Sequence, residues 1–98
     1  MSETAIQLLK KHNLRPQDLD LVIPHQANIR INETVREKLE LPPEKVFNNI
    51  DRYGNTTAAT LPIALSEAEQ FGRLKKGDLI MTLAFGAGYT WGANLIRW

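Results

Sequence analysis

The segment 79–85, LIMTLAF, constrains the fold of this chain more than any other part of the sequence. Apolar residues occupy both its odd and its even positions, so either face of a strand formed here would expose hydrophobic side chains if left uncovered. Uninterrupted apolar strands are typical of parallel sheets covered by helices on both faces. The sequence therefore predicts a central strand in an α/β domain.

Helices and strands alternate along the rest of the chain. Apolar residues at helical spacing predict helices over 3–12, with Ser2 as its cap, over 28–39, and after Gly54, where Pro62 predicts a kink or a late start. Residues 18–24 (DLDLVIP) and 46–50 (VFNNI) read as short strands. Residues 89–98 read as a closing strand. This order predicts a mixed, mostly parallel sheet with flanking helices and an antiparallel hairpin at its end.

Composition excludes several classes of protein. The chain has 98 residues, which suits one small domain, and a formal net charge of +1, which argues against general nucleic-acid binding. It has no cysteine, and therefore no disulfide, thiolate metal site or cysteine nucleophile. No apolar run is long enough to span a membrane. We therefore expect a soluble, cytoplasmic protein.

Polar or glycine-rich residues follow each predicted parallel strand. His25 follows the first, Asn55 lies in the loop after the second, and the turn GAG at 86–88 follows the third. Parallel strands present their carboxyl ends at one edge, so we expect these groups to converge there. A neutral imidazole and a carboxamide both donate hydrogen bonds without carrying charge, and could stabilise an oxyanion or enolate. Backbone N–H groups in the glycine turn could do the same.

Each of these residues also has a structural interpretation. His25 alone fits a hydrogen-bonded structural histidine, Asn55 a helix N-cap, and the GAG segment a tight turn. His12 lies on a separate helix and no His/Asp/Glu cluster has ligand spacing, so we predict no metal site. A nucleophile is missing, because neither Ser66 nor the threonines of NTTAAT has a recognisable base beside it.

Three motifs, in this order and spacing, carry a family resemblance: PHQANIRI at 24–31, YGNTTAAT at 53–60 and AFGAGYTWGANLIRW at 84–98. Together they resemble the C-terminal portion of beta-ketoacyl-acyl-carrier-protein synthase III, a thiolase-fold condensing enzyme. The resemblance runs through essentially the whole chain. It implies that residues 1–98 are the C-terminal domain of such an enzyme, incomplete because the cysteine-bearing N-terminal half is absent.

The resemblance implies an acyltransferase of fatty acid biosynthesis that works as a homodimer. Acyl-CoA and malonyl-acyl-carrier-protein thioesters are its substrates, with no further cofactor. By motif match His25 and Asn55 belong to a Cys-His-Asn triad, and the backbone N–H of Ala87 belongs to the oxyanion hole. Three further residues of the matching segment would support the site: Phe85, Gly86 and Gly88.

Two residues near the start of the second helix match substrate-binding positions of the family. Arg30 matches a basic residue that contacts CoA phosphates and the acidic carrier protein, and Asn28 matches a residue lining the pantetheine channel. The structural alternative for Arg30 is an ion pair with Glu33 or Glu37 on the same helix.

Two departures from the family set further expectations. The cysteine-bearing half is absent, so we expect the isolated chain to be inactive. The strand that opens the family's C-terminal half is absent too; we place it in the middle of the sheet, and expect the resulting gap to drive homo-oligomerisation or pairing with the missing half. The alternatives are a non-catalytic module that binds carrier protein or CoA, or serves in assembly, and a related thiolase-fold enzyme such as a polyketide-type or hydroxymethylglutaryl-CoA synthase.

Overall fold

The computed structural model describes residues 2–26, 28–55, 59–86 and 90–98. Their helices are α1 (Ser2–Lys11), α2 (Ile29–Lys38), α3 (Ile50–Tyr53) and α4 (Thr60–Gln70), and their strands are β1 (Leu21–Pro24), β2 (Leu79–Gly86) and β3 (Thr90–Arg97). Short 3₁₀ turns at Pro16–Asp18 and Pro43–Lys45 lead into β1 and into the segment before α3. The α/β class predicted from the sequence is confirmed.

The described strands form one mixed sheet in the order β1-β2-β3. β1 runs parallel to β2, with Leu21 opposite Ile80, and β2 pairs antiparallel with β3 as the predicted closing hairpin. On the far side of β1, the described residues form a single parallel bridge, between Val22 and Val46. β1 therefore has parallel pairing on both of its sides, and the antiparallel pairing is that of β2 with β3.

The direct pairing of β1 with β2 corrects one expectation. We placed a missing strand in the middle of the sheet, but β1 and β2 are hydrogen-bonded neighbours, so no strand can lie between them. The two strands pair in a register that places corresponding side chains on the same face of the sheet. Leu21 lies opposite Ile80, and Ile23 lies opposite Thr82. The expected gap does not exist in the described sheet.

Buried side chains cover both faces of the sheet. On one face Leu21, Ile23 and Ile80 pack against Ala64 and Ala68 of α4. On the other face, alternate strand residues pack with α1 and α2, in a cluster that includes Val22, Met81, Leu83, Ala5, Leu9, Val35 and Leu39. The sheet is thus a middle layer between helices, which is why LIMTLAF is apolar at every position but Thr82.

Three local predictions differ from the structure, and a fourth is confirmed. The predicted strand at 46–50 is wrong: it contributes only the bridge at Val46, and α3 begins at Ile50. Ser2 is the first residue of α1 rather than its cap, and His12 lies beyond the helix and is exposed. The late start predicted for the third long helix is confirmed, because Pro62 lies in the first turn of α4, where its missing N–H has no carbonyl to bond.

Candidate active site

Contacts with β2 and with α4 hold His25 at the carboxyl end of β1. Its backbone N–H donates to the Leu83 carbonyl at 2.7 Å, which extends the parallel ladder by one residue. Its half-buried ring contacts the Thr60 hydroxyl oxygen through Nδ1. The expectation that no threonine of NTTAAT has a base beside it is therefore wrong. The histidine joins the end of β1 to the start of α4.

Thr60 could have been found from the spacing of buried residues on α4. Thr60, Ala64 and Ala68 recur every fourth residue and are all buried. A hydroxyl on such a stripe must find a polar partner inside the protein, and a histidine emerging from the adjacent strand supplies one.

Gln26 turns into the protein instead of toward a substrate. Its side chain is fully buried, and its Oε1 accepts hydrogen bonds from the backbone N–H groups of Asn49 at 2.9 Å and Ile50 at 3.1 Å. Its Nε2 donates to the Pro24 carbonyl at 2.7 Å. The residues before α3 are thus held by a side chain rather than by a strand ladder, which is the physical reason that the predicted strand at 46–50 fails.

A second carboxamide contact ties the same segment to α2. The buried Asn32 donates from Nδ2 to Oδ1 of Asn48 at 2.7 Å. Together with Gln26, this bond fixes the polypeptide that enters α3 on two sides. Asn55 follows α3, so its position depends on these amides.

Asn28 and Arg30 occupy the exposed start of α2. Asn28 is the N-cap of the helix, and its Oδ1 accepts from the Arg30 backbone N–H at 2.8 Å. Glu33 pairs with Arg36 at 2.9 Å instead of with Arg30, so the ion-pair interpretation of Arg30 is wrong. Within the described part of the chain, no carboxylate neutralises the Arg30 guanidinium.

Asn55 lies just beyond α3 and is exposed. Gly54 ends that helix with a φ of 64°, and its N–H donates to the Ile50 carbonyl at 2.8 Å. Asn55 is not the N-cap of α4, because Ala59 occupies that position. Since His25 contacts Thr60, only five residues after Asn55, the two candidate catalytic residues are separated by no more than a short length of chain. Their direct convergence remains a prediction.

The end of β2, which precedes the glycine turn, lies at the same edge of the sheet as His25. Pro24 pairs with Leu83, and β2 continues past it to Phe85 and Gly86, whose partners in β3 are Trp91 and Thr90. Ala87 and Gly88 lie outside the described residues, so the oxyanion-hole role of the Ala87 amide and the supporting roles of Phe85, Gly86 and Gly88 remain predictions.

An ion pair joins α3 to α4 across the segment that carries Asn55. The Arg52 guanidinium contacts the carboxylate of Glu67, which is buried, and also lies 5.6 Å from the centroid of the Phe71 ring. A hydrogen bond from the Tyr53 hydroxyl, followed by the bond from Arg52, lowers the pKa of Glu67 below its ordinary value. Sequence reasoning assigned Tyr53 no function. The signal it missed is Glu67 itself, a carboxylate on the buried stripe of α4.

The described residues contain neither a metal-binding cluster nor a membrane-spanning helix. No three His, Asp or Glu side chains of this part of the chain lie close enough together to hold a metal ion. None of its helices combines the length and apolar character needed to cross a bilayer.

Comparison with known proteins decides the family. Residues 9–98 match the profile of the family described as 3-oxoacyl-[acyl-carrier-protein (ACP)] synthase III C terminal. The chain belongs to this family. The beta-ketoacyl-[acyl-carrier-protein] synthase III of Caldanaerobacter subterraneus subsp. tengcongensis is 51% identical over 98 residues, which are all of this chain and 30% of that relative. The chain thus spans about a third of the length of the curated relatives it matches.

Solved structures show the same fold. The crystal structure of 3-oxoacyl-[acyl-carrier-protein] synthase III from Aquifex aeolicus VF5 matches with a TM-score of 0.97 at 53% identity, over all of this chain and 32% of that one. The cerulenin-bound structure of OleA from Xanthomonas campestris matches with a TM-score of 0.88 at 28% identity, over 98% of this chain and 29% of that one. The thiolase-like architecture expected for a synthase III C-terminal domain is therefore confirmed.

Gln26 should be important for the stability of this synthase III C-terminal domain. Replacing Gln26 with Leu removes the acceptor for two backbone N–H groups, and we expect a loss of about 2–4 kcal/mol in the free energy of unfolding. Gln70→Leu, at the exposed end of α4, is the matched control and should change stability by less than about 0.5 kcal/mol. Urea unfolding of the three proteins tests this. Equal losses for both variants would contradict the network.

Glu67 should make unfolding stability depend on acid pH. Its pKa is lowered in the folded chain, so the unfolded chain takes up the proton first as pH falls. The stabilisation is fully present above the ordinary value of 4.5 and is lost as pH falls through the folded pKa. We expect Glu67→Gln to flatten the fall in urea midpoint between neutral pH and about pH 3, whereas the exposed Glu69→Gln should leave it steep. Identical slopes in both variants would exclude Glu67 as the source.

Proposed function

We propose that this chain is the C-terminal part of a condensing acyltransferase, a beta-ketoacyl-acyl-carrier-protein synthase III that begins fatty acid synthesis in the cytoplasm. The observation that carries the proposal is the placement of His25. Its backbone is fixed by Leu83 and its Nδ1 by Thr60, so any contact that the ring makes to a substrate runs through Nε2. A ring anchored in this way at the carboxyl edge of a parallel pair suits the polarisation of a carbonyl oxygen.

The proposed reaction has two steps, and this chain takes part mainly in the second. First, the cysteine thiolate of the N-terminal half attacks the carbonyl of acyl-CoA, forming an acyl-enzyme and releasing CoA as its thiolate. Next, the bond to the carboxylate of the malonyl group breaks and carbon dioxide leaves. The electron pair of the broken bond forms an enolate, whose oxygen accepts hydrogen bonds from His25 Nε2–H and the Asn55 amide.

The enolate carbon then attacks the acyl-enzyme carbonyl. A tetrahedral oxyanion forms, for which the Ala87 N–H is the proposed donor, and it collapses with departure of the cysteine thiolate. The chain contributes no thiol of its own, since it contains no cysteine. We therefore propose the cysteine-bearing half as an obligatory partner. From the family resemblance, we also propose a homo-oligomer as the working form.

Arg30 is the proposed docking residue for the thioester carriers. Its guanidinium is exposed at the start of α2, two residues from Asn28 and five from His25. Because Glu33 is engaged by Arg36, the Arg30 charge can act on an outside anion. CoA phosphates and the acidic surface of acyl-carrier-protein are the proposed anions, and Asn28 is proposed to line the path of the pantetheine arm.

The absence of cysteine also favours one alternative from another class. Residues 1–98 could act as a non-catalytic module that binds carrier protein or CoA through Arg30. The likeness to OleA keeps a related thiolase-fold synthase as a further alternative. In the next experiment, a non-catalytic module would give no decarboxylation or cysteine acylation. A related synthase would prefer a substrate other than malonyl-carrier-protein.

The complete synthase, with the cysteine-bearing half, should lose decarboxylation when His25 is changed to Ala. We expect a fall of at least about a hundredfold in malonyl-carrier-protein decarboxylation, the usual size of such an electrostatic contribution, while transfer of the acyl group from acyl-CoA to cysteine stays within about threefold. Carbon dioxide release and cysteine acylation are measured separately. The chain by itself, run in parallel, should form no condensation product. Equal loss of both steps would refute the proposed division of labour.

Arg30 should set carrier-protein recognition through charge. In the complete synthase we expect Arg30→Ala to raise KM for malonyl-carrier-protein about tenfold at low salt, with the difference shrinking as salt screens the interaction. Lys38→Ala, an exposed cation at the other end of α2, is the matched control. Steady-state kinetics across ionic strengths make the comparison. A KM that does not change with Arg30 at any salt concentration would exclude this residue from docking.

A further inference from the structure

We infer that Thr60 is a positioning residue that donates its hydroxyl proton to His25 Nδ1 and so fixes the proton of the neutral imidazole on Nε2. The contact joins residues 35 positions apart in sequence, at the point where β1 ends and α4 begins. Its catalytic consequence rests on the proposed function, because only a ring with its proton on Nε2 can donate to the thioester oxygen.

The burial of Thr60 decides which partner donates. Its side chain is buried, with 2% of the residue exposed, and among the described residues the imidazole is the partner of its oxygen. If Nδ1 carried the proton, the threonine would accept, and its own buried hydroxyl proton would have no acceptor among the described residues. If the threonine donates, both the hydroxyl proton and the Nδ1 lone pair are satisfied. The second arrangement costs less.

The position of Thr60 in its helix supports the same direction. A threonine inside a helix commonly donates to the carbonyl one turn back, as Thr34 does to Arg30 at 2.9 Å. Thr60 is the first residue of α4, and among the described residues its hydroxyl bonds the His25 ring and not a backbone carbonyl. Its β-branched side chain also has few χ1 rotamers, which keeps the hydroxyl aimed at the ring.

The chain itself offers a direct spectroscopic test. It contains two histidines, and His12 is exposed and lies outside the helices. In the ¹⁵N-labelled chain, at a pH where both rings are neutral, we expect His25 to show a pyrrole-like signal at Nε2 and a pyridine-like signal at Nδ1. His12→Gln assigns the two rings. A proton on Nδ1 of His25 would overturn the inference.

Substitutions at Thr60 separate positioning from packing. Thr60→Val keeps the branched shape but removes the hydroxyl, and should move the His25 nitrogen signals toward those of the solvent-exposed His12. Thr60→Ser keeps the hydroxyl and should restore the wild-type signals. Thr34→Val, which removes an exposed helical hydroxyl, is the matched control and should change neither ring. Unchanged His25 signals in Thr60→Val would overturn the inference, and the wild-type spectrum alone still decides the direction of the bond if that variant fails to fold.

Kinetics of the complete synthase give a second reading. Thr60→Val should lower kcat for malonyl decarboxylation about tenfold, the equivalent of one hydrogen bond of ~1.4 kcal/mol, with KM unchanged and with rescue by Thr60→Ser. Full activity of Thr60→Val would overturn the positioning role. If the wild-type complete enzyme neither decarboxylates nor condenses, the proposed function fails, whereas the spectroscopic result for Thr60 still stands or falls by itself.

Discussion

The direct parallel pairing of β1 with β2 is the constraint on which the rest of the structure depends. It places Leu21 and Ile80 side by side on one face and Val22 and Met81 on the other, so each helical layer meets a continuous apolar surface. The ladder runs one residue past β1, to the N–H of His25. The catalytic candidate is therefore an extension of the most buried part of the fold, and its backbone has the rigidity of the core.

Amide side chains extend that rigidity to segments that have no ladder of their own. Gln26 satisfies the N–H groups that begin α3, and Asn32 reaches Asn48 from α2. These are buried polar groups, and their burial is offset by the hydrogen bonds that they make. The same bonds explain why consecutive residues of one motif have unlike roles: His25 faces Thr60 near the edge of the sheet, whereas Gln26 is part of the interior.

The sequence predicts those parts of the fold that depend on periodic apolar residues. LIMTLAF, the helices α1, α2 and α4, and the closing hairpin follow from side-chain spacing, and the late start of α4 follows from Pro62. The sequence does not predict contacts made by single polar side chains with distant partners. VFNNI has the composition of a strand, but Gln26 holds its end in another conformation. Glu33 lies one turn from Arg30 on α2, but Arg36 pairs with it instead. The order of strands in the sheet is a property of non-local pairing, and our placement of a central missing strand failed for that reason.

The contacts that α4 makes with His25 and with α3 affect the conformational entropy of the connection that contains Asn55. Thr60 is held by His25, and Tyr53 and Arg52 are held through Glu67, so both ends of the connection that contains Asn55 are anchored to the same helix. Ordering a residue of free backbone costs roughly 1–2 kcal/mol. Because the ends of this connection are joined during folding, that part of the loop-closure cost is met before a substrate arrives. Under the proposed function, binding energy from a thioester then acts on the reacting bonds rather than on closing the loop.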